Sequence, residues 1–457
     1  MISLIGRLLI PIILISCYNQ SNRLENFKKY IMAFKILATG DLHLGKKSSG
    51  MSLKMENAAT KTTWEKIVKW AMDEKADVLL LTGDIIDQDN VYFEAIGPLQ
   101  SGFRKLKQDG ISVYLVAGNH DYKVLPQVIG EFDNVHLLGS KGTWEKKTFT
   151  KNGESIQFIG WSFTKQHHTT DPFLSFDHNI IDPNIPCIGL VHGDVDSTDS
   201  SYAPIARNSF LNTGAQVWVL GHIHKPSTIW QENPVVLYPG SPHAMSAKEP
   251  GAHGPILIHV EDKNDIKIRA LPMSPIKYET ESLDISNSTT ENELRELVTS
   301  HLINIGNTNP EELEEVSALV FDVLLIGKHS NPREVDIWLQ NMVEDFEFEL
   351  ESNTTITVRK IKTDLQPKID NILELAAEPS IIGVLAKTIL ALEKDEKSVF
   401  IDEILDKWKL DFRELNGART YRHIRMEKEN VDVDVLAKKT ILNNCNNLLS
   451  ELIAQKS

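Results

Sequence analysis

Eight residues able to bind metal or move protons stand at the ends of five apolar runs: Asp41 and His43, Asp84, Asn119 and His120, His192, and His222 and His224. A single strand-terminal Asp caps a helix in the ordinary case, and a single His is ordinarily a satisfied core or loop residue. Packing asks for neither type at five strand ends in one chain. Two residues apart on an extended backbone puts Asp41 and His43 on one side, and His222 and His224 likewise. Asp, Asn and His donors without Cys suit manganese, iron or zinc better than calcium. Asp41, His43, Asp84, Asn119, His192, His222 and His224 exceed the needs of one tetrahedral zinc and match two metals sharing a carboxylate. Two divalent ions bring about four positive charges, of which Asp41 and Asp84 cancel about two and a bridging hydroxide about one more. The remainder matches a phosphodiester monoanion.

The elements that must position these residues are legible around Asp77-Val-Leu-Leu-Leu-Thr-Gly-Asp-Ile-Ile-Asp87. Val78 to Leu81 is a continuous apolar run, the pattern of a strand covered on both faces, and Gly83 lets the backbone turn. Phe34 to Thr39 and Val113 to Ala117 are predicted strands of the same kind. Between them, Trp64, Ile67, Val68 and Ala71, then Phe93, Ile96, Leu99, Phe103 and Leu106, repeat at helical spacing. Further strands are expected at Ile188 to Val191, Gln216 to Leu220 and Val235 to Tyr238, with a hairpin about Asn152-Gly153. Ligands collect at the carboxyl ends of such strands. The fold class expected is α/β: a layered sandwich of β-sheets flanked by helices over 33–272, a small α+β domain over 276–364, and a helical C-terminal region over 366–457. Ile381 to Leu392 is apolar nearly all round and should be buried. Ile441, Cys445, Leu448 and Leu452 form a stripe that must be covered either by that helix or by a partner.

The chain has 457 residues and a formal net charge of −15, which excludes a generally basic nucleic-acid coat. Contact with nucleic acid would need a local positive groove, bound cations included. Cys17, Cys187 and Cys445 are too scattered for a disulfide framework or a thiolate zinc site and fit a reducing compartment. Residues 1–31 conflict with this. Leu8 to Ile15 is apolar, and Leu14-Ile15-Ser16-Cys17 resembles a lipoprotein processing box. We expect a cytoplasmic protein whose start is Met32, just before the first strand; the alternative is a membrane-anchored lipoprotein.

Gly40-Asp-Leu-His43, Gly83-Asp84, Gly118-Asn-His-Asp121, His192-Gly-Asp194 and Gly221-His-Ile-His224 resemble the five blocks of the calcineurin-like metallophosphoesterases. Asp41-Leu-His-Leu-Gly45, Tyr202-Ala-Pro204 and Tyr238-Pro-Gly-Ser-Pro242 resemble one branch, the SbcD-type (YhaO-like) DNA repair exonuclease subunits, whose architecture includes a small capping domain. The resemblance implies a metal-dependent exonuclease or endonuclease subunit that hydrolyses DNA phosphodiester bonds. Asp41, His43, Asp84 and His224 would bind one ion, and Asp84, Asn119, His192 and His222 the other, most naturally manganese at both. His120 would act without binding metal, stabilising the transition state or protonating the leaving oxygen. DNA and an SbcC-type ATPase subunit are the partners implied, and a homodimer stays open.

Asp87 stands where some relatives carry a second histidine; it reads as a helix cap, a hydrogen-bond acceptor behind a ligand, or a DNA contact. Lys46, with Lys47, is a candidate phosphate contact, and Asp121 a candidate support for the site. Weaker candidates are His167 and His168, His243 and His253, and the strip Arg419, Arg422 and Arg425. Two other functions compete: a metallophosphoesterase acting on a nucleotide or other small phosphorylated substrate, and a non-catalytic DNA-binding scaffold. Gln88 and Asp121 replace the Arg and Glu of the protein-phosphatase branch, and the complete donor set speaks against a scaffold.

Overall fold

The computed structural model describes residues 34–46, 48, 59–87, 93–308, 313–342, 346–369, 371–396, 398–417 and 432–456. The expectations for residues 1–31, Lys47, Gln88 and the Arg419, Arg422 and Arg425 strip lie outside the described residues. Two compact units divide the chain: residues up to 279 with 308–320 and 349–355, and residues 280–307, 321–348 and 356–457.

In the first unit, β1 (Phe34–Thr39), β2 (Val78–Leu81), β3 (Ser112–Leu115) and β4 (Val135–Leu137) run parallel. Helices α1 (Thr60–Asp73), α2 (Phe93–Gln108) and α3 (Leu125–Ile129) connect them. Successive side chains on a strand face opposite ways, and both faces here are buried. Leu37, Leu79, Leu81, Val113 and Leu115 meet Trp64, Ile67, Val68, Leu99 and Phe103 of the helices. Ile36, Ala38, Val78, Leu80 and Tyr114 point the other way, into a second sheet. That double burial is why β2 contains no polar residue.

The second sheet starts with the hairpin β5 (Glu145–Lys151) and β6 (Glu154–Trp161) and continues with β7 (Cys187–His192). A small ladder of β8 (Asp194–Val195) and β9 (Pro204–Ile205) precedes β10 (Val217–Gly221), β11 (Ser227–Trp230) and β12 (Val235–Tyr238). The spatial order is β11-β12-β10-β7-β6-β5. Its inner face gives Phe158, Ile188, Leu190, Val217 and Val219 to the shared core. Its outer face packs Trp161, Cys187 and Trp218 beneath Phe176 and Phe210. Strands β13 (Ile256–Val260) and β14 (Ile266–Ala270) return antiparallel to close the first sheet, whose order is β14-β13-β1-β2-β3-β4. The layers are therefore helix, sheet, sheet and an aromatic loop layer, the expected α/β sandwich.

A four-stranded sheet follows, in the order β15 (Ile276–Asp284), β16 (Ala318–His329), β18 (Thr355–Pro367), β17 (Glu347–Glu349). Helix α4 (Glu291–Thr308) buries Leu294, Val298 and Leu302, and α5 (Pro332–Met342) follows β16. The C-terminal region is helical: α6 (Ile372–Ala377), α7 (Ile381–Glu393), α8 (Val399–Gly417) and α9 (Val433–Lys456). Leu449 of α9 is fully buried among Ile382, Ala386 and Ile389 of α7, with Cys445, Leu452 and Ile453 packed beside it. Of the α9 stripe, Ile441, Cys445 and Leu452 are thus covered within their own unit, while Leu448 is 47% exposed. The all-round burial expected for α7 does not occur: Ile381 is 72% exposed and Val384 53%. The packing partners of α7 cover one of its faces and leave those two side chains out. Among the described residues, no helix is long and apolar enough to cross a membrane.

Candidate metal centre

Asp41 lies two residues beyond β1, Asp84 three beyond β2, Asn119 and His120 shortly after β3, His192 ends β7, and His222 follows β10 directly. Because β1, β2, β3, β7 and β10 end on the same side of the stacked sheets, these residues converge. The turns that deliver them are strained. Asp41, His43, Asp84 and His222 have φ of 50°, 44°, 49° and 101°, the left-handed region that costs a non-glycine residue about 1–3 kcal/mol. Strain held at four donor positions has no packing purpose. Gly118 is needed for a different reason: a Cβ there would lie 2.1 Å from Asp84 Oδ1.

The donors fall into overlapping groups. Asp41, His43 and His224 form one, Asp41, Asp84 and His192 another, and His43, Asp87 and His120 a third. His43 Nε2 and His224 Nε2 are 3.1 Å apart. His192 Nε2 is 3.1 Å from Asn119 Oδ1 and 3.4 Å from Asp84 Oδ2. Asp84 Oδ2 is 3.9 Å from both His43 Nε2 and His120 Nε2. Asp84 therefore stands among His43, His120 and His192, and the His222 ring lies 5.3 Å from that of His192. Imidazole nitrogens turned toward one another and toward a shared carboxylate are a donor arrangement that fits two divalent ions.

Five of the seven candidate donors are held from behind. Asp87 Oδ1 lies 3.0 Å from His43 Nδ1, Glu249 Oε1 3.0 Å from His224 Nδ1, and the Thr82 carbonyl 2.9 Å from His192 Nδ1. The other nitrogen of each ring is thereby directed at the centre. The His222 amide donates to Asp41 Oδ1 at 3.0 Å, and the His120 amide to Asp84 Oδ1 at 2.9 Å. Asp121 is fully buried and accepts from the Ile85 and Gly118 amides at 2.7 and 2.8 Å, tying the β2 and β3 turns together.

Electrostatics follow from this crowding. Burial works against ionised Asp84, yet His192, His43 and His120 hold its carboxyl well below the usual range. Burial likewise opposes charge on His192, but Asp84 and Asp41 push that imidazole up to about 9. Burial, with the His192 charge, pushes His222 down to about 3. Burial and the Asp84 charge push Asp121 up to about 7. His120 is lowered by burial against the pull of Asp84. Its Nδ1 is buried and has no hydrogen-bond partner among the described residues, lying 3.7 Å from Asp87 Oδ1.

Lys46 is exposed at the edge of the first-strand turn, its amide bonded to the His43 carbonyl at 3.0 Å. His168 packs on Trp161, with ring centroids 4.7 Å apart, and His167 lies against Tyr202, whose ring sits 5.0 Å from His222. His243 is buried and touches Thr63 Oγ1 and Ser48 Oγ at 2.7 and 2.9 Å. His253 faces two backbone carbonyls. None of these four histidines belongs to a donor group among the described residues. Glu249 and Tyr202 are site residues that sequence reasoning does not single out. Glu249 stands between His243 and His253 in the chain, and Tyr202 opens Tyr202-Ala-Pro204, so each lies beside a residue or stretch that the sequence does mark.

Residues 34–226 match the family model described as calcineurin-like phosphoesterase. The Bacillus subtilis protein named uncharacterized metallophosphoesterase YhaO is 28% identical over 343 residues, covering 69% of this chain and 82% of its own length. The DNA double-strand break repair protein Mre11 of Methanopyrus kandleri is 23% identical, covering 61% of this chain and 66% of that one. A subunit of the Bacillus subtilis nuclease SbcCD is 23% identical, covering 48% of this chain and 63% of its own length. Residues 34–226, which contain all seven candidate donors, thus carry a calcineurin-like phosphoesterase domain.

Proposed function

We propose that the chain is the nuclease subunit of a DNA-processing enzyme, hydrolysing phosphodiester bonds with two divalent ions, manganese foremost. The observation that carries this reading is the position of Asp84, 3.4 Å from His192 Nε2 and 3.9 Å from both His43 Nε2 and His120 Nε2. Ions held on either side of it would supply Lewis acidity to an in-line displacement at phosphorus. Asp41, His43 and His224 would hold one ion and Asn119, His192 and His222 the other. Asp84 would serve both. His120 adds the proton chemistry: its Nε2 faces the shared carboxylate, placed to donate to the leaving oxygen. With a chain charge of −15, a polyanion must be met locally, by the ions and by exposed Lys46. DNA as substrate draws on the relatives named for double-strand break repair and for a nuclease. An SbcC-type ATPase is the partner this reading calls for.

An end-labelled linear duplex incubated with manganese or magnesium, beside a phosphodiester dye, tests it. Shortening of the duplex is expected, faster with manganese. Hydrolysis of the dye with an intact duplex would assign the chain to small phosphoesters. DNA binding without hydrolysis of either would make it a scaffold.

A further inference from the structure

The two positions are buttressed unequally. Behind His43 and His224 stand carboxylates, Asp87 and Glu249, each at 3.0 Å. Behind His192 stands the neutral Thr82 carbonyl at 2.9 Å, and its neighbour Asn119 is a neutral amide. Glu249 is also aimed with unusual care. Its second oxygen accepts from the Met245 amide at 2.9 Å. His253 closes the same loop, with Nδ1 2.7 Å from the Ser241 carbonyl and Nε2 3.1 Å from that of Glu249. The Ser241 amide in turn donates to the His224 carbonyl at 2.9 Å. The loop 240–254 thus grips His224 at its backbone and at its ring. A carboxylate that accepts the Nδ1 proton fixes the tautomer with a free Nε2 lone pair and makes the ring a more basic donor than a carbonyl does.

We propose that Glu249 is a positioning residue for His224, and that it makes the Asp41–His43–His224 position the tighter of the two. The ions then load in order: this position fills first, and the Asn119–His192–His222 position fills second and exchanges with the medium. The inference rests on the two-ion reading but not on DNA as substrate.

Equilibrium dialysis of the metal-depleted full chain against manganese tests it. Two binding steps at least about tenfold apart are expected, and Asn119→Ala should remove the weaker one. Glu249→Ala should weaken the tight step roughly ten- to a hundredfold and leave the weak step in place. Glu249→Gln, whose amide oxygen still accepts the Nδ1 proton without a charge, should fall between. Nitrogen-15 spectra of histidine-labelled protein should show His224 protonated at Nδ1 in the wild type and in Glu249→Gln, and mixed in Glu249→Ala. A merely structural role would lower the melting temperature without changing the ratio of the two steps. Equal weakening of both steps, an unmoved tight step, or two equal sites in the wild type would overturn the proposal. Absence of any bound metal would remove the two-ion reading itself.

Discussion

The two sheets of the first unit bring different chemistry to one place. The first contributes both acidic donors, Asp41 and Asp84, with His43, Asn119 and His120; the second contributes only imidazoles, His192, His222 and His224. Buried acids crowded together repel one another, and the second sheet relieves them. His192 is the strongest charge acting on both Asp41 and Asp84. Neither sheet makes a site alone. The centre is an interface inside one domain, and its integrity depends on how closely the two layers approach.

Removing the shared carboxylate should have the largest effect. Asp84→Ala is expected to lose both ions and all phosphodiester hydrolysis, and mass spectrometry of the purified variant would reveal it; two retained ions would reject the shared position. His120→Gln separates proton transfer from metal binding. It should keep both ions while hydrolysis falls about a hundred- to ten-thousandfold, and loss of metal would make His120 a donor instead. The approach of the sheets is tested by Gly221→Ala. A Cβ there would lie 2.1 Å from the Thr82 carbonyl and 2.6 Å from His192 Nδ1. Overpacking of that kind destabilises by about 1–3 kcal/mol, which denaturant titration would measure, with weaker metal binding beside it. Unchanged stability would mean that the layers yield there. The smallest effect is expected at Cys187 on the second sheet. Burial pushes its thiol up to about 12, so a thiol reagent should leave it unmodified in the native chain and leave the metal content unchanged.

Much of this architecture is legible in the residues. The run Val78 to Leu81 has no polar face because helices and a second sheet cover it. Its neighbours in the parallel array carry the same signature, and their carboxyl ends point at one region. Glu249 is not legible, since nothing in a loop's composition says which ring its one carboxylate will reach across 25 residues of sequence. Tyr202 beside His222 is likewise a contact between distant segments. Apolar content also misleads where it is uniform. Ile381 and Val384 read like Ile382 and Ile389, yet only the latter two face α9. The division into two units is hidden for a related reason: each is assembled from three separated stretches of chain, which local patterns do not record.

The left-handed backbone at Asp41, His43, Asp84 and His222 has a consequence for how such a chain evolves. Glycine at any of these positions would relieve strain, so mutations that erase the centre stand to make the metal-free protein more stable. A lineage or a laboratory selection that rewards heat resistance alone would drift toward inactive descendants with the fold intact. Among relatives of this chain, a higher melting temperature is therefore a warning to look at these four positions before assuming that the chemistry survives.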